Sequence, residues 1–345
     1  MIGEIWMNDL EKLKDDWLKK LSFDILLTRN CNYRCKHCLM NNFKGEMSLV
    51  SFKETIDQLC EMDVNEINLS GGEIFLHPNI KEIFNYLKLK NIEFGFVTNG
   101  SMFNENIIEL IKQSNCRFSI SLDGPEEFQI NFRNYKEAFS NVINAVELCT
   151  KNKVEFGIIS SYVKENLQHI DWLINFCIKN KIKYYRLQPV FAEGAAVKLE
   201  DNKELLSEKE LDHLYKRHVE LSGLYVGRLI LRGLGKFKSE IIQHSCKFGV
   251  NFGSSCHSNS LPYPHTIGIT PEGDVFPLYP YLLNSNWKIN NIKNGIYKSL
   301  DEYYNSESHI KLLDLHRTVF ENEIVKKDIV YVDYGRLIIE RMNHN

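Results

Sequence analysis

The sequence has no uninterrupted apolar run approaching the ~18 residues of a membrane-spanning helix, which excludes a helical membrane protein. Residues 1–20 alternate charged and apolar side chains and lack the apolar core of a signal peptide. Basic charge is not in excess either. The 42 Lys and Arg stand against 45 Asp and Glu, a net charge of -3, and no basic stripe is interleaved with aromatics. That balance excludes a broad nucleic-acid surface. Internal repeats and low-complexity tracts are absent. With 43% apolar and 25% charged residues, the chain has the composition of an ordinary folded protein. The expectation is a cytosolic protein that uses neither membrane nor nucleic acid as a partner.

Cysteine is not scarce. In a reducing compartment, clustered cysteines point to metal or redox chemistry and scattered ones to the core. The nine cysteines sort accordingly. Cys31, Cys35 and Cys38 are clustered, and Cys246 and Cys256 form a looser pair. Cys60, Cys149 and Cys177 continue the apolar faces of expected helices, and Cys116 opens an alternating strand. These four are expected to act as small core hydrophobes.

Strand and helix patterns alternate through the first two thirds of the chain. Strands are expected at 23–28, 66–70, 92–98, 117–122, 154–160 and 183–188. Helices are expected at 49–61, 79–88, 105–113, 136–151 and 167–179. Such alternation builds a parallel sheet, because each crossover helix returns the chain to the same edge. Polar and glycine-containing turns fall after the strands, at the edge where parallel α/β folds bind ligands. After Pro189 the pattern changes. Residues 191–203 read as loop and 207–221 as a helix. Residues 265–270 and 275–279 read as a hairpin around Pro271-Glu272-Gly273-Asp274, and two helical stretches follow near 295–304 and 309–319. A boundary is expected near 230–240.

Cys31-Asn32-Tyr33-Arg34-Cys35-Lys36-His37-Cys38 places three thiols within eight residues. A structural zinc site would want a fourth ligand, and His37, directly before Cys38, is poorly placed to supply it. A [4Fe–4S] cluster that only carries electrons takes four cysteines, so three leave one iron open to another ligand.

The C-x3-C-x2-C spacing after the first strand resembles the radical S-adenosylmethionine (radical SAM) superfamily, with His37 in the slot usually held by an aromatic residue. Four further segments agree in order. These are Ser70-Gly71-Gly72-Glu73, Thr98-Asn99-Gly100, Ser121-Leu122-Asp123-Gly124-Pro125 with Arg133 beyond, and Arg186-Leu187-Gln188-Pro189. The resemblance covers residues 22–195 and implies an α/β fold, a partial (β/α)6 barrel. It implies one [4Fe–4S] cluster on Cys31, Cys35 and Cys38, with SAM on the open iron. It further implies cleavage of SAM to a 5′-deoxyadenosyl radical that takes a hydrogen atom from the substrate. SAM contacts are expected from Gly71 and Gly72, where backbone can approach closely, and from Glu73, an acceptor for the methionine ammonium. Ser121 and Arg133 are expected to hold ribose or carboxylate, and His37 and Leu187 to meet adenine. Asn99, Asp123, Ser160 and Gln188 complete the candidate set.

The C-terminal part resembles, more weakly, the SPASM or twitch extension of peptide-modifying radical SAM enzymes. The resemblance rests on Ile267–Leu278, on Asn290-Asn291-Ile292 and on Ser299-Leu300-Asp301-Glu302-Tyr303. Ala192-Glu193-Gly194-Ala195-Ala196 is similar to a turn of the same enzymes. The hairpin's usual cysteine is Leu278 here, and no cysteine follows Cys256. Two auxiliary clusters need about seven cysteines, so a small α+β extension without a complete second cluster is expected. The expected organisation is a helical lead at 1–20, the barrel at 21–232 and a degenerate SPASM/twitch-like extension at 233–345. Cys246 and Cys256 are then idle thiols, ligands of one partly cysteine-ligated cluster, or catalytic thiols able to return a hydrogen atom to a substrate radical from its opposite face. Epimerisation or crosslinking of a ribosomally made peptide follows as the expected reaction, with flavodoxin or ferredoxin as reductant. A small metabolite such as an aminoglycoside is the alternative substrate. A non-catalytic iron–sulfur or electron-transfer protein is the alternative of another class. It accounts for the cysteines but not for the other segments in register.

Overall fold

The computed structural model of the protein describes residues 14, 17–19, 21–40, 44–233, 236–237, 266–278, 284–326, 331–332 and 334–344. Two compact units are formed. One is Leu27–Leu49 with Asn68–Gly235, and the other is Met1–Leu26, Val50–Ile67 and Lys236–Asn345.

In chain order the elements are β1 (Ser22–Thr28), α1 (Leu49–Glu61), β2 (Glu66–Gly71), α2 (Ile80–Leu89), β3 (Glu93–Thr98), α3 (Glu105–Lys112) and β4 (Cys116–Ser121). Then come α4 (Glu126–Arg133), α5 (Ala138–Lys151), β5 (Gly157–Tyr162), α6 (Ile170–Lys179), β6 (Tyr184–Pro189), α7 (Val197–Asp201), α8 (Glu208–Leu224) and β7 (Ile230–Gly233). The rest is β8 (Lys236–Phe237), β9 (Thr266–Ile269), β10 (Asp274–Pro277), β11 (Asn290–Asn291), α9 (Ile296–Tyr304), α10 (Glu307–Val319), β12 (Tyr331–Val332) and α11 (Tyr334–His344).

The larger unit carries the order β2-β3-β4-β5-β6-β7. The pairs from β3 through β7 are parallel. This is the α/β architecture of a partial radical SAM barrel. Side chains alternate between the two faces of each strand. Phe94 and Phe96 of β3 pack against Phe84 of α2, and Phe96 stacks on Phe118 of β4 at 5.1 Å. These residues therefore mark the helix-covered face. Each such ring removed from water contributes about 1.5–3 kcal/mol. The register carries the same face through Ile120, Ile158 and Tyr185. On the opposite face stand Ser119 and Ser121 of β4, Ile159 and Ser161 of β5, and Arg186 and Gln188 of β6. A Cβ built on Gly157 would meet the Ser119 hydroxyl and the Tyr184 Cβ, which places those residues together on that second face.

Several expectations are corrected. Helix α4 was not foreseen, nor were β7 and α11. The stretch 191–203, expected as loop, holds a 3-10 turn at Gly194–Ala196 and helix α7. Strand β5 begins at Gly157 rather than at 154. Lys153 takes a left-handed φ of 56° after α5, and the next residues lead into the sheet. Cys149 and Cys177 are fully buried as expected, whereas Cys60 and Cys116 are only half-buried.

In the smaller unit, β9 runs parallel to β1 and antiparallel to β10, which pairs antiparallel with β11. The expected hairpin is present, and Gly273 turns it with a φ of 80°. Leu278, where the resemblance expects a cysteine, is a buried apolar side chain. Gln58 of α1 accepts from the Ile296 amide at 2.7 Å and donates to the Ile292 carbonyl at 3.2 Å, fixing the start of α9. Among the described residues no helix is long and apolar enough to cross a membrane.

Candidate active site

The cysteine loop leaves the end of β1 and is held by backbone bonds along its length. The Gly72 amide donates to Thr28 O at 2.8 Å and the Glu73 amide to Asn30 O at 2.9 Å. Lys36 donates its amide to Phe132 O at 3.0 Å, and Ala195 donates its amide to Cys38 O at 2.8 Å. Tyr33 stacks on Tyr135 at 4.3 Å, and its hydroxyl accepts from Asn141 at 2.8 Å. Gly194, at a φ of 60°, is required by the close approach. A Cβ there would lie 2.5 Å from Cys38 O and 2.6 Å from Leu39 O.

Cys31, Cys35 and Cys38 are free and half-buried. Among the described residues, no three His, Cys, Asp or Glu side chains form a site for one metal ion. In a cluster each takes its own iron, and the three need not meet at a point. Burial pushes Cys31 up to about 12 and raises Cys35 and Cys38 as well. A bound metal reverses that preference and holds each as thiolate.

The Gly71-Gly72 backbone lies against this loop. A Cβ at Gly72 would stand 2.3 Å from Asn30 O and 2.8 Å from Cys31 Cβ, so the segment admits no side chain. The Glu73 carboxylate is fully buried and accepts from the Thr98 hydroxyl at 2.9 and 3.0 Å and from the amides of Asn99 at 2.8 Å and Phe75 at 3.3 Å. These bonds tie it to the ends of β2 and β3, and three donors leave acceptor capacity on its two oxygens. Burial pushes Glu73 up to about 7, against the hydrogen bonds of Asn99, Thr98 and Phe75, which pull it down. A carboxyl raised in the folded state contributes stability that is present below its ordinary value near 4.5 and lost as pH rises through about 7. The thermal midpoint of the iron-free protein should therefore fall between about pH 5 and pH 8. Glu73→Gln should flatten that slope. It should also cost about 1–3 kcal/mol, because its amide group faces donors and leaves one unsatisfied. Thermal melts across pH on both proteins check this.

Asn99 braces the loop as well. Its amide group donates to Asn32 Oδ1 at 3.0 Å and reaches Cys31 Sγ at 3.9 Å. Its own Oδ1 accepts from the Ser101 amide at 2.8 Å.

The end of β4 is tied by a buried polar network. Gln129 of α4 accepts from the Asp123 amide at 2.8 Å and donates to Ser121 O at 3.1 Å. Asp123 accepts from Arg133 Nε at 2.6 Å and from the Ser161 amide at 2.7 Å. Asn166 donates to Asp123 O at 2.9 Å and to Ser161 O at 3.0 Å. Asp123 is fully buried at the centre of this network. Arg133 is also buried. Its Nη1 reaches Cys35 Sγ at 4.0 Å, so one side chain links the β4 network to the cysteine loop. Ser121 is buried at this strand end, on the face opposite the helices.

His37 stacks on Phe132 at 4.3 Å, and its Nδ1 is buried without a partner. Burial, with Arg133 adding to it, holds the imidazole well below its ordinary range and therefore neutral. The orphaned nitrogen, the side-chain-free Gly72 backbone and the three-thiol donor set all suit the cluster and SAM. Ser160 and Leu187 do not join this group. Ser160 donates to Leu122 O in a buried bond. Leu187 pairs in register with Ser160 and alternates with Tyr185 on the helix-covered face. Gln188 stands on the other face, half-buried. Gly71 lies at the end of β2, its would-be Cβ 2.5 Å from Thr28 O. Cys246 and Cys256 lie outside the described residues.

Gln129, Asn166, Tyr33, Phe132 and Gly194 were not foreseen as parts of the site. Gln129 carried no local signal, since its bonds to Asp123 and Ser121 form only when α4 folds back on the end of β4. Asn166 carried none, since its role depends on a loop forty-three residues from Asp123.

Three loop thiols at the carboxyl edge of a parallel sheet, backed by a glycine backbone and a buried Asp–Arg pair, define a cluster-dependent α/β enzyme class. The family described as Radical SAM superfamily matches residues 25–177 of this chain. A [4Fe–4S] cluster and SAM are the cofactors of that family. The subtilosin biosynthesis protein AlbA of Bacillus subtilis is 31% identical over 150 residues, 42% of this chain and 34% of that protein. A cysteine-type anaerobic sulfatase-maturating enzyme of Clostridium perfringens is 24% identical over 313 residues, 82% of this chain and 80% of that enzyme. The match thus spans about a third of AlbA and 40% of a Fe-coproporphyrin III synthase of Methanosarcina barkeri. Streptococcus suis SuiB bound to precursor peptide SuiA shares the fold with a TM-score of 0.67 at 16% identity, over 85% of this chain and 66% of SuiB. The anSMEcpe enzyme with AdoMet and the Kp18Cys peptide gives 0.66 at 18% identity, over 94% and 99%.

Proposed function

We propose that this protein is a radical SAM enzyme that modifies a peptide. The observation that carries the reading is the cysteine loop strapped against Gly72 with Asn99 and Arg133 reaching its thiols. When bound, the cluster and SAM supply a 5′-deoxyadenosyl radical that abstracts a hydrogen atom from the substrate. Cys31, Cys35 and Cys38 would hold the cluster. The Gly71-Gly72 backbone admits the methionine end of SAM, and Arg133 and Ser121 orient its carboxylate or ribose. His37, neutral and with Nδ1 unpaired, offers an acceptor or donor to adenine. Shared fold with enzymes crystallised with peptides supports a peptide substrate. Flavodoxin or ferredoxin would supply the electron.

Epimerisation is the reaction we assign. Hydrogen lost from one face of a substrate carbon is replaced from the other face by the thiol of Cys246 or Cys256. One electron and one proton from the reductant and solvent then restore the thiol. Anaerobic incubation of the reconstituted protein with SAM and dithionite should give 5′-deoxyadenosine. None would overturn the enzymatic reading. With peptide substrate in deuterated water, deuterium should enter the product, and should be lost on Cys246→Ala or Cys256→Ala. A product free of deuterium would leave crosslinking in place of epimerisation.

A further inference from the structure

The sheet face opposite the helices is polar, and the reading above does not use most of it. Ser121, Ile159 and Arg186 stand in one row across β4, β5 and β6, and Ser161 and Gln188 stand in the row above. Neighbouring strands lie about 4.8 Å apart, so the row from Ser121 to Arg186 spans about 10 Å. Arg186 is half-buried. It makes no ion pair or hydrogen bond with any described residue. Other cations of this sheet are matched. Arg117 pairs with Glu93 at 2.7 Å, and Lys183 with Glu155 at 3.0 Å. Arg133 pairs with Asp123 at 2.6 Å. From β2 to β6 the open face carries no carboxylate beside Arg186.

A guanidinium half withdrawn from water without a counter-charge loses solvation that nothing among the described residues restores. Its planar fork of donors matches a carboxylate in bidentate geometry. The serine hydroxyls and the Gln188 amide add neutral donors around it and no competing charge.

We propose that Arg186 binds a carboxylate of the substrate, an acidic side chain or chain terminus, on the open face of the sheet, and so selects acidic substrates for this site. The inference rests on that face being the substrate side of the enzyme proposed above. SAM is the other source of a carboxylate, and the test separates the two.

Reconstituted full-length protein is titrated calorimetrically with acetyl-Gly-Glu-Gly-amide and with acetyl-Gly-Gln-Gly-amide, each in the presence of SAM. Arg186→Gln and Arg186→Lys are treated alike after thermal melts, and SAM affinity is measured for all three proteins. A hydrogen-bonded charge pair of this kind is worth about tenfold or more in affinity. The wild type should therefore prefer the acidic probe by about tenfold. Arg186→Gln should lose the preference, Arg186→Lys should keep part of it, and SAM affinity should stay unchanged. Equal or undetectable binding of both probes to the wild type overturns the proposal, as does a preference that survives Arg186→Gln. A loss of SAM affinity in Arg186→Gln also overturns it, by assigning the arginine to SAM. These readouts are binding constants, so they are distinct from a failure to form 5′-deoxyadenosine.

Discussion

Cys35→Ala should bring 5′-deoxyadenosine formation to background and leave reconstituted protein well short of the about four irons per chain that one [4Fe–4S] cluster requires. Cys35 stands in the middle of the loop, where Arg133 and Cys38 act on its ionisation and it acts in turn on that of Cys31. Its removal leaves two thiols for a cluster that already lacks a fourth cysteine. The effect on the fold should be small, because the loop's backbone bonds to Thr28, Asn30, Phe132 and Ala195 involve no thiol. Iron analysis beside a thermal melt separates the two effects. Cys246→Ala and Cys256→Ala should retain about four irons. Wild-type protein with about eight irons would show a second cluster and would revive electron-exporting modifications.

Gly72→Ala should be nearly as damaging for a different reason. Asn30 O, the first atom a Cβ would meet, is backbone and already accepts the Glu73 amide at 2.9 Å. It cannot move aside without breaking that bond, and the next atoms met are Asn30 C and then Cys31 Cβ. Overpacking of this kind costs about 1–3 kcal/mol, and here the displacement falls on a thiol-bearing residue. Iron incorporation should therefore drop together with the thermal midpoint. Gly223→Ala, in α8 with nothing within 4 Å of a Cβ, is the matched control and should be neutral or slightly stabilising. Equal behaviour of the two variants would show that the loop tolerates the shift.

The strands were legible because most alternate buried apolar with more exposed residues and are closed by glycine or polar turns. The three cysteines were legible because their spacing is local. Helix α4 was not legible, and its residues say why. Phe128, Ile130 and Phe132 alternate as in a strand, whereas the face it buries is Phe128, Gln129, Phe132 and Arg133. Half of that stripe is polar, so no apolar helical period shows. The protein partners of Glu73 were not legible, because Thr98, Asn99 and Phe75 reach it only once β2 and β3 are adjacent. The face taken by Ser160 and Leu187 was not legible, because a strand's sequence does not reveal which of its faces the helices cover. The β5–β6 register and the Phe contacts of the sheet place both on the helix-covered face.

The straps on the cysteine loop bear on how the protein meets oxygen. Each runs from one part of the chain to another, so the loop's shape does not depend on iron in the way a zinc finger depends on its metal. Air that destroys the cluster would leave a folded receptacle instead of an unfolded chain. The polypeptide can then be refilled and outlive its inorganic centre many times, so that survival under oxidative stress is set by the supply of iron and sulfide rather than by new synthesis of the protein.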